Sequence, residues 1–301
     1  MTFTGKIREQ NHAESPAQAG RGPGAMRAGS FPFLAAAVFL CLAGCVPLPE
    51  GALQNSTQGR ALESPFKELD PGYKTEETAH FLVKAYTPSA VSYHAALCEE
   101  NYRRIMQDLG IYSFVPARPY NVVIYRDSAE YRSKTGQPEW SGGAAYGNVL
   151  LLYEGPGLRS TMAHEMTHLI FNEFMGLAQA GQHRWLNEGV AVYEERRSSA
   201  QTEAFYSRRV NEAVAPNPIP FSQMVNLAPL GESLKNVDRW YAQVGSVAGF
   251  MIRDGGSFNF SLFLAKLRDG ASPDQAIAGA YSGSWKKLDD VEKAWLIDVK
   301  R

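Results

Sequence analysis

The sequence predicts an α+β fold, in which a small N-terminal sheet with helices precedes a mostly helical C-terminal half. Short segments rich in β-branched and aromatic residues are concentrated before residue 154. From residue 158 onward, apolar residues recur at helical spacing instead. Glycine and proline separate these segments, as expected for the connections between strands and helices.

The first half alternates strands and helices. Three segments of strand length and composition are predicted strands: Ala79–Tyr86, Tyr120–Tyr125 and Asn148–Tyr153. Between the first two, residues 89–109 carry an apolar stripe at helical spacing, and Gly110 ends the predicted helix. A shorter helix is predicted over 127–135. The stripe of the longer helix consists of Val91, Ala95, Cys98, Tyr102, Ile105 and Leu109.

The second half consists of helices and one irregular stretch. Six segments with helical periodicity are predicted helices: 159–175, 185–197, 238–253, 257–268, 273–281 and 285–299. Four prolines make residues 214–236 a predicted loop region. Ser272, followed by Pro273 and Gln275, is typical of a helix start, with a capping Ser and Pro at the first helical position.

Charge and cysteine content exclude several classes of function. The chain has 30 Lys and Arg against 31 Asp and Glu, so no basic surface predicts a nucleic-acid partner. Cys41 and Cys45 belong to the apolar N-terminal region, which leaves Cys98 as the one thiol of the folded part. A single thiol forms no internal disulfide, and no Cys-x-x-Cys pair suggests a cysteine zinc site. On its apolar stripe, Cys98 is predicted to be a buried small hydrophobe.

Residues 1–45 are predicted to be a signal peptide. The apolar run Phe31–Gly44 has the length of a signal-peptide core and is too short to span a bilayer comfortably. It ends in LAGC at 42–45, which resembles the lipobox of bacterial lipoproteins. That resemblance implies lipidation of Cys45 and an acyl anchor in a lipid bilayer. Thirty residues precede the apolar run, so a translation start at Met26 is an open alternative.

A flexible tether is predicted over 46–70, because Pro, Gly, Ser, Asn and Gln are frequent and large apolar residues are few. The folded domain is then expected to span 71–301. The resemblance to lipoproteins places the protein in a bacterial cell envelope. The residue after Cys45 is Val46 rather than Asp. In lipoproteins resembling those of enteric bacteria, this favours the periplasmic face of the outer membrane.

The clearest chemical signal is HEMTH at 164–168, which fits the pattern H-E-x-x-H within a predicted helix. Positions four apart share one helix face, so His164 and His168 can bind a single ion. Zinc accepts His nitrogens and usually takes three protein ligands in a catalytic site. Glu165 lies beside the first ligand, where it can act as a general base on water. The pattern therefore predicts one catalytic Zn²⁺.

A second motif, WLNEGVA at 185–191, begins the next predicted helix. Together with H-E-x-x-H, it resembles the gluzincin metallopeptidases, whose third zinc ligand is the Glu of such an N-E-G-x-A segment. The resemblance covers roughly 75–300 and implies a zincin-like fold, with Glu188 as the third ligand beside His164 and His168. The overall layout is similar to uncharacterised bacterial peptidase MA-like lipoproteins.

The third ligand has one other candidate, His183, which lies five residues before Glu188. A metzincin-type ligand is excluded, because Phe171 and Phe174 stand where that family needs Gly and His. The segment Ala178–Gln182, between the two motifs, is predicted to be a loop.

Several residues are candidates for supporting roles. Glu195 lies two helical turns after Glu188 on the same face, so it either orients a histidine ligand or belongs to a solvated face. Asn187 either caps the helix or faces the site. In related zincins a tyrosine often stabilises the oxyanion at the scissile carbonyl. By order along the chain, Tyr241 is the first candidate for that role and Tyr206 the second.

The resemblance implies zinc-dependent hydrolysis of peptide bonds, by an endopeptidase or an aminopeptidase-like enzyme, with a peptide or protein as substrate. The implied sheet edge for an extended peptide is the strand Asn148–Tyr153. Two alternatives remain open: a catalytically silent zincin-fold scaffold or binding lipoprotein, and a zinc hydrolase acting on a non-peptide amide such as one in the cell wall. No oligomeric state is predicted.

Overall fold

A computed structural model describes residues 66–227 and 234–300. The signal peptide, Cys45 and most of the tether lie outside these residues and stay predictions. Within the described part of the chain, no helix is long and apolar enough to cross a membrane. The predicted tether extends to residue 70, but Leu69 is only 5% exposed and the backbone N–H of Lys67 donates to the carbonyl of Lys134. The chain is therefore already packed on the domain before residue 71.

One mixed sheet forms the first half. Its strands in chain order are β1 Lys74–Glu77, β2 Phe81–Ala85, β3 Tyr120–Tyr125, β4 Gly143–Tyr146 and β5 Val149–Tyr153. Their order across the sheet is β1-β2-β3-β5-β4. The three middle strands run parallel, and each outer strand is antiparallel to its neighbour. The three predicted strands are confirmed as β2, β3 and β5, so they form the centre of the sheet.

The prediction that Asn148–Tyr153 offers a free sheet edge is wrong. β5 pairs with β3 on one side and with β4 on the other. The outer position belongs to β4, which a two-residue loop, Gly147–Asn148, joins to β5. Gly147 has a φ of 58°, a left-handed conformation that glycine adopts readily and that tight hairpins require. The edge next to the helical half is therefore Gly143–Tyr146.

The first two helices lie between strands along the chain, and the others follow β5. Their bounds are α1 Pro88–Leu109, α2 Ser128–Thr135, α3 Leu158–Met175, α4 Leu177–Gln182, α5 Arg184–Arg196, α6 Ala200–Arg209, α7 Phe221–Met224, α8 Leu234–Arg253, α9 Ser257–Arg268, α10 Pro273–Ala280 and α11 Leu288–Asp298. A π-helical turn, Val210–Val214, follows α6 directly. The strands lie in the first half and the second half is helical, so the predicted α+β class is confirmed.

The long helix α1 forms as its sequence predicts. The side chain of Thr87 caps its start by accepting the backbone N–H of Ala90, and Gly110 ends it in the left-handed conformation. Every residue of the predicted apolar stripe is buried. Cys98 is fully buried, with its Sγ 3.7 Å from the Sδ of Met162 in α3, and burial raises the pKa of its thiol. The cysteine thus packs where α1 meets α3.

Two stretches of the second half are more ordered than predicted. The expected loop Ala178–Gln182 is a short helix, α4, so the connection between the two motif helices is compact. The stretch after α5 received no predicted element, but it contains α6, which begins with a capping box between Ser199 and Thr202. The predicted cap of α10 is confirmed, because the side chains of Ser272 and Gln275 form a capping box.

Candidate metal centre

Two adjacent helices bring the motif residues together. The helix α3 carries His164, Glu165 and His168, and α5 carries Glu188 four residues after its start. All four side chains are buried. Apolar residues occupy nearly every side of α3, so most of the helix is buried. Its polar motif residues are therefore inside the protein as well.

The ligand atoms converge as a metal site requires. The Oε2 of Glu188 lies 3.8 Å from the Nε2 of His164 and 3.6 Å from the Nε2 of His168. All three ligand atoms lie within 4.8 Å of one another. Ligands of a tetrahedral zinc ion, each bound at about 2.0–2.1 Å, are roughly 3.3 Å apart. The two distances from Glu188 exceed this spacing by only about 0.3–0.5 Å, so the three groups are close enough to share one ion.

Each histidine is oriented through its other ring nitrogen. The Nδ1 of His164 lies 3.0 Å from the Oε2 of Glu195, and the Nδ1 of His168 lies 2.8 Å from the Oδ1 of Asn187. Both partner atoms are acceptors, so each Nδ1 carries the proton. In the neutral form of each ring the lone pair is then on Nε2, the nitrogen that lies toward Glu188, and this is the tautomer that a metal ligand needs.

The orphaned atoms fit a cation. Among the described residues, the buried Nε2 of His168 and the buried Oε2 of Glu188 have no hydrogen-bond partner. These two atoms lie 3.6 Å apart with no hydrogen bond between them. Buried polar atoms without a partner are costly, and a metal ion would satisfy both of them at once. The residues present therefore fit a divalent metal.

The charges around the site shift the acidity of two groups. Burial would lower the pKa of His164, but the hydrogen bond and charge of Glu195, with the charges of Glu165 and Glu188, raise it to about 9. Burial raises the pKa of Glu165 above its ordinary value, whereas the charges of His164 and His168 lower it. A carboxyl group with a raised pKa accepts a proton more readily at neutral pH, as a general base must.

Glycine in the second motif allows α8 to pack tightly behind the site. A methyl group added at Gly189 would lie 2.7 Å from the backbone carbonyl oxygen of Val244 in α8. One at Gly245 would lie 2.4 Å from the Cγ1 of Val192 in α5. Both distances are too short for a real side chain. The residue next to Glu188 must therefore be small, so that α8 can support the helix that carries the ligand.

The structure brings some of the predicted site residues together and leaves others apart. The described residues contain one converging group of three possible ligands, His164, His168 and Glu188, so the alternative ligand His183 is not supported. His183 instead lies at the start of α5, where burial lowers its pKa. Of the two options for Glu195, the contact with His164 favours the orienting role over a solvated face.

The two tyrosine candidates differ. The hydroxyl of Tyr206 donates to the Oε2 of Glu195 at a distance of 2.9 Å, and its side chain is buried. Tyr206 therefore helps to orient the carboxylate of Glu195. This contact does not favour a role for Tyr206 at a scissile carbonyl. Tyr241 lies in α8 and is 6% exposed. Its assignment as the oxyanion residue stays a prediction.

The hydrogen bonds that orient the two histidines involve residues beyond the predicted site. Asn187 was predicted either to cap or to face the site, and the structure shows that it contacts His168 and donates through its Nδ2 to the Oδ1 of Asn172. Asn172 lies four residues after His168, so helical spacing was the signal that could have found it. Tyr206 lies on α6, a helix that the sequence pattern does not predict.

The family model of the Peptidase MA superfamily matches residues 100–298, which is well over half of the 301-residue chain. The chain belongs to the Peptidase MA superfamily. No curated protein shows significant similarity to it. The matched range contains all of α3, α5 and α8, and thus every residue of the metal centre.

Membership of the Peptidase MA superfamily indicates a peptidase-type hydrolase. The buried triad of His164, His168 and Glu188 is the possible metal-binding site of this superfamily member. Fold and family thus point to a peptidase of zincin-like architecture, and the triad could hold a metal ion.

Proposed function

We propose that this member of the superfamily is a zinc-dependent peptidase held at a bacterial membrane by a lipid on Cys45. The observation that carries the proposal is the convergence of three buried acceptor atoms, from His164, His168 and Glu188, beside the buried carboxyl group of Glu165. A structural zinc site normally has four protein ligands, whereas a catalytic site keeps one position open. Three ligands beside a general base favour catalysis.

The donor set supports zinc as the metal. Two imidazole nitrogens and one carboxylate oxygen form a common ligand set of catalytic zinc sites. Imidazole also suits copper, iron and nickel, but zinc has no redox chemistry of its own and serves hydrolysis. The Glu195 and Asn187 contacts, which fix the histidine tautomers, are also typical of zinc sites.

The protein's own residues account for the movement of protons. A bound zinc ion supplies Lewis-acid activation of water and of the substrate carbonyl. Glu165 takes the proton from the attacking water and then gives it to the nitrogen of the leaving amine. The attacking oxygen forms the new bond to the carbonyl carbon, the C–N bond breaks, and the products are a carboxylic acid and an amine. Burial raises the pKa of Glu165, so its carboxylate takes up the proton from water more readily.

The edge strand β4 is the proposed binding edge for the substrate. A methyl group at Gly143 would lie 2.7 Å from the Cγ2 of Thr161, so the start of β4 lies directly against α3. Thr161 precedes His164 and Glu165 by three and four residues, which places all three near one face of the helix. An extended peptide that hydrogen-bonds to β4 would therefore pass close to the metal centre.

The proposal is tested by replacing the base while keeping the ligands. In Glu165→Gln we expect about one zinc per chain, as in the wild type, and a rate of peptide cleavage lower by roughly 10²–10⁴-fold, because proton transfer is lost. In the control, His168→Ala, both zinc and activity are expected to be lost. The measurements are metal content by mass spectrometry and cleavage of a denatured protein.

Each outcome has a distinct meaning. Activity retained in Glu165→Gln would remove Glu165 as the base. A wild type that binds zinc but cleaves no protein or peptide would favour the silent scaffold instead. A well-folded wild type that takes up no zinc when supplied with it would contradict the metal centre itself.

A further inference from the structure

The five tryptophans of the chain differ sharply in exposure. Trp140 is 47% exposed, and the other four are each 8% exposed or less. A single exposed apolar residue is ordinary on a protein surface, so exposure alone assigns no role to it. Its position next to the proposed binding edge is what distinguishes Trp140.

A fixed turn holds Trp140 immediately before the edge strand. The backbone N–H of Ser141 donates to the carbonyl of Pro138, which closes a turn with Trp140 inside it. The hydroxyl of Ser141 is buried and contacts both the hydroxyl of Tyr131, at 2.8 Å, and the carbonyl of Gly143, at 2.9 Å. The backbone on either side of Trp140 is thus tied to α2 and to the first residue of β4.

The edge strand beside this turn begins with three small residues. Gly143, Ala144 and Ala145 are small, and the two alanines are partly exposed. Trp140 lies three residues before Gly143, which itself packs against Thr161, one helical turn before the metal ligands. A partly exposed tryptophan therefore lies three residues before a strand that begins with small residues and packs against α3.

We propose that Trp140 is a substrate contact that gives the enzyme a preference for large apolar side chains. A peptide paired with β4 would place one side chain against the indole, and burial of apolar area there would favour Leu or Phe over Ser. This inference rests on the proposed peptidase function. Trp140 is a specificity residue, with no part in the proton transfers.

Kinetics on matched peptides test this preference. The experiment compares two unstructured peptides of otherwise identical sequence. One has Leu and the other has Ser at a single position near the scissile bond. In the full-length Trp140→Ala variant we expect KM for the Leu peptide to rise by about tenfold, and KM for the Ser peptide to change less than about twofold. Trp140→Phe should retain most of the preference, because it keeps an aromatic surface.

The matched control is Phe258→Ala, which removes an aromatic side chain that is 69% exposed in α9. The neighbouring Ser257 packs against Gly110 at the end of α1, and no residue of β4 is among the contacts of Gly110. This variant should cleave both peptides like the wild type. An equal loss on both peptides in Trp140→Ala, or no loss on either, would overturn the proposal.

A binding experiment separates failure of this inference from failure of the proposed function. Trp140 is the tryptophan open to a soluble quencher, so acrylamide quenching of intrinsic fluorescence reports mainly on it. In zinc-supplied Glu165→Gln, the Leu peptide should protect the fluorescence and the Ser peptide should protect it much less. Absence of protection by the Leu peptide would overturn the contact. Protection without any cleavage by the wild type would keep the contact and reject the peptidase.

Discussion

His164 is the residue through which pH is expected to control metal binding. Its pKa is raised to about 9 by Glu195 and the neighbouring carboxylates, against the opposing effect of burial. Since this value exceeds the ordinary 6.5, the protonated ring stabilises the metal-free fold fully below pH 6.5. That contribution is lost as the pH rises through about 9. At neutral pH a metal ion must therefore displace a proton from His164.

We predict that zinc affinity rises by about tenfold per pH unit between pH 7 and 8, because one proton is released per ion bound. Titration calorimetry in buffers of different ionisation enthalpy measures the released protons. In Glu195→Gln the pKa of His164 should fall toward its ordinary value, and proton release at pH 7.5 should decrease.

The control for that experiment is Glu203→Gln, which removes an acid that pairs with Arg196. Its proton release should match the wild type. Zinc affinity that does not change with pH, together with no proton release, would contradict the assignment of a proton to His164.

The residues that carry chemistry could be predicted because their spacing is local. His164, Glu165 and His168 lie within five positions of one helix, and Glu188 lies in a short motif of its own. The residues that hold these ligands were harder to predict. Tyr206 reaches Glu195 from another helix, so no single helical pattern contains both partners. Such a contact depends on how two helices meet, which periodicity does not describe.

At the scale of elements, the close approach of α5 and α8 holds Glu188 in place. Glycines on both helices remove the side chains that would keep them apart, at Gly189 on one and at Gly245 and Gly249 on the other. The packing is dense, and the atom that faces Gly189 is a backbone oxygen, which cannot move as a side chain can. The tight contact is therefore sensitive to a single methyl group.

We predict that Gly189→Ala lowers the free energy of unfolding by about 1–3 kcal/mol, because the added methyl group must push α8 away. Gly181→Ala is the matched control. It lies in α4, nothing lies within 4 Å of its added methyl group, and alanine favours helix formation. That variant should unfold at the same or a slightly higher urea concentration. Equal losses in the two variants would show that the contact with Val244 is unimportant.

The sheet illustrates which elements a sequence can predict. The strands β2, β3 and β5 are buried and apolar, and their predicted positions are confirmed. The outer strand β1 was missed because KTEE at 74–77 is charged and mostly exposed, without apolar alternation. The outer strand β4 was missed as well, although Gly147–Asn148 before an apolar run was a hairpin signal. Edge strands thus escape prediction because they contribute little to the core.

At the scale of the whole molecule, a buried ion pair helps to join the sheet half to the helical half. The Nε of Arg104 in α1 donates to the Oε2 of Glu194 in α5 at 2.9 Å, and its Nη2 donates to the backbone carbonyl of the same residue. Glu194 is fully buried. The partners are 90 residues apart, so the α+β class could be predicted from composition but this joint could not.

The location of the whole molecule is predicted from its N-terminus alone. We expect the wild type to sediment with membranes of a bacterial host, and Cys45→Ser to appear in the soluble envelope fraction or as an unprocessed precursor. The physical reason is that a multiply acylated cysteine anchors a protein stably. Metabolic labelling with a radioactive fatty acid measures the attachment directly. Cys41→Ser is the control, and lipid incorporation that survives in Cys45→Ser would contradict the lipobox.

The burial of Cys98 gives the molecule a reporter of its own motion. With Cys41 and Cys45 replaced by serine, a thiol reagent could modify only chains in which α1 had separated from α3. The labelling rate, divided by the rate for a fully exposed cysteine, then gives the equilibrium constant for that local opening. The helix α3 carries His164 and His168. Comparing this equilibrium constant with and without zinc would therefore give the free energy by which the metal stabilises the contact between α1 and α3.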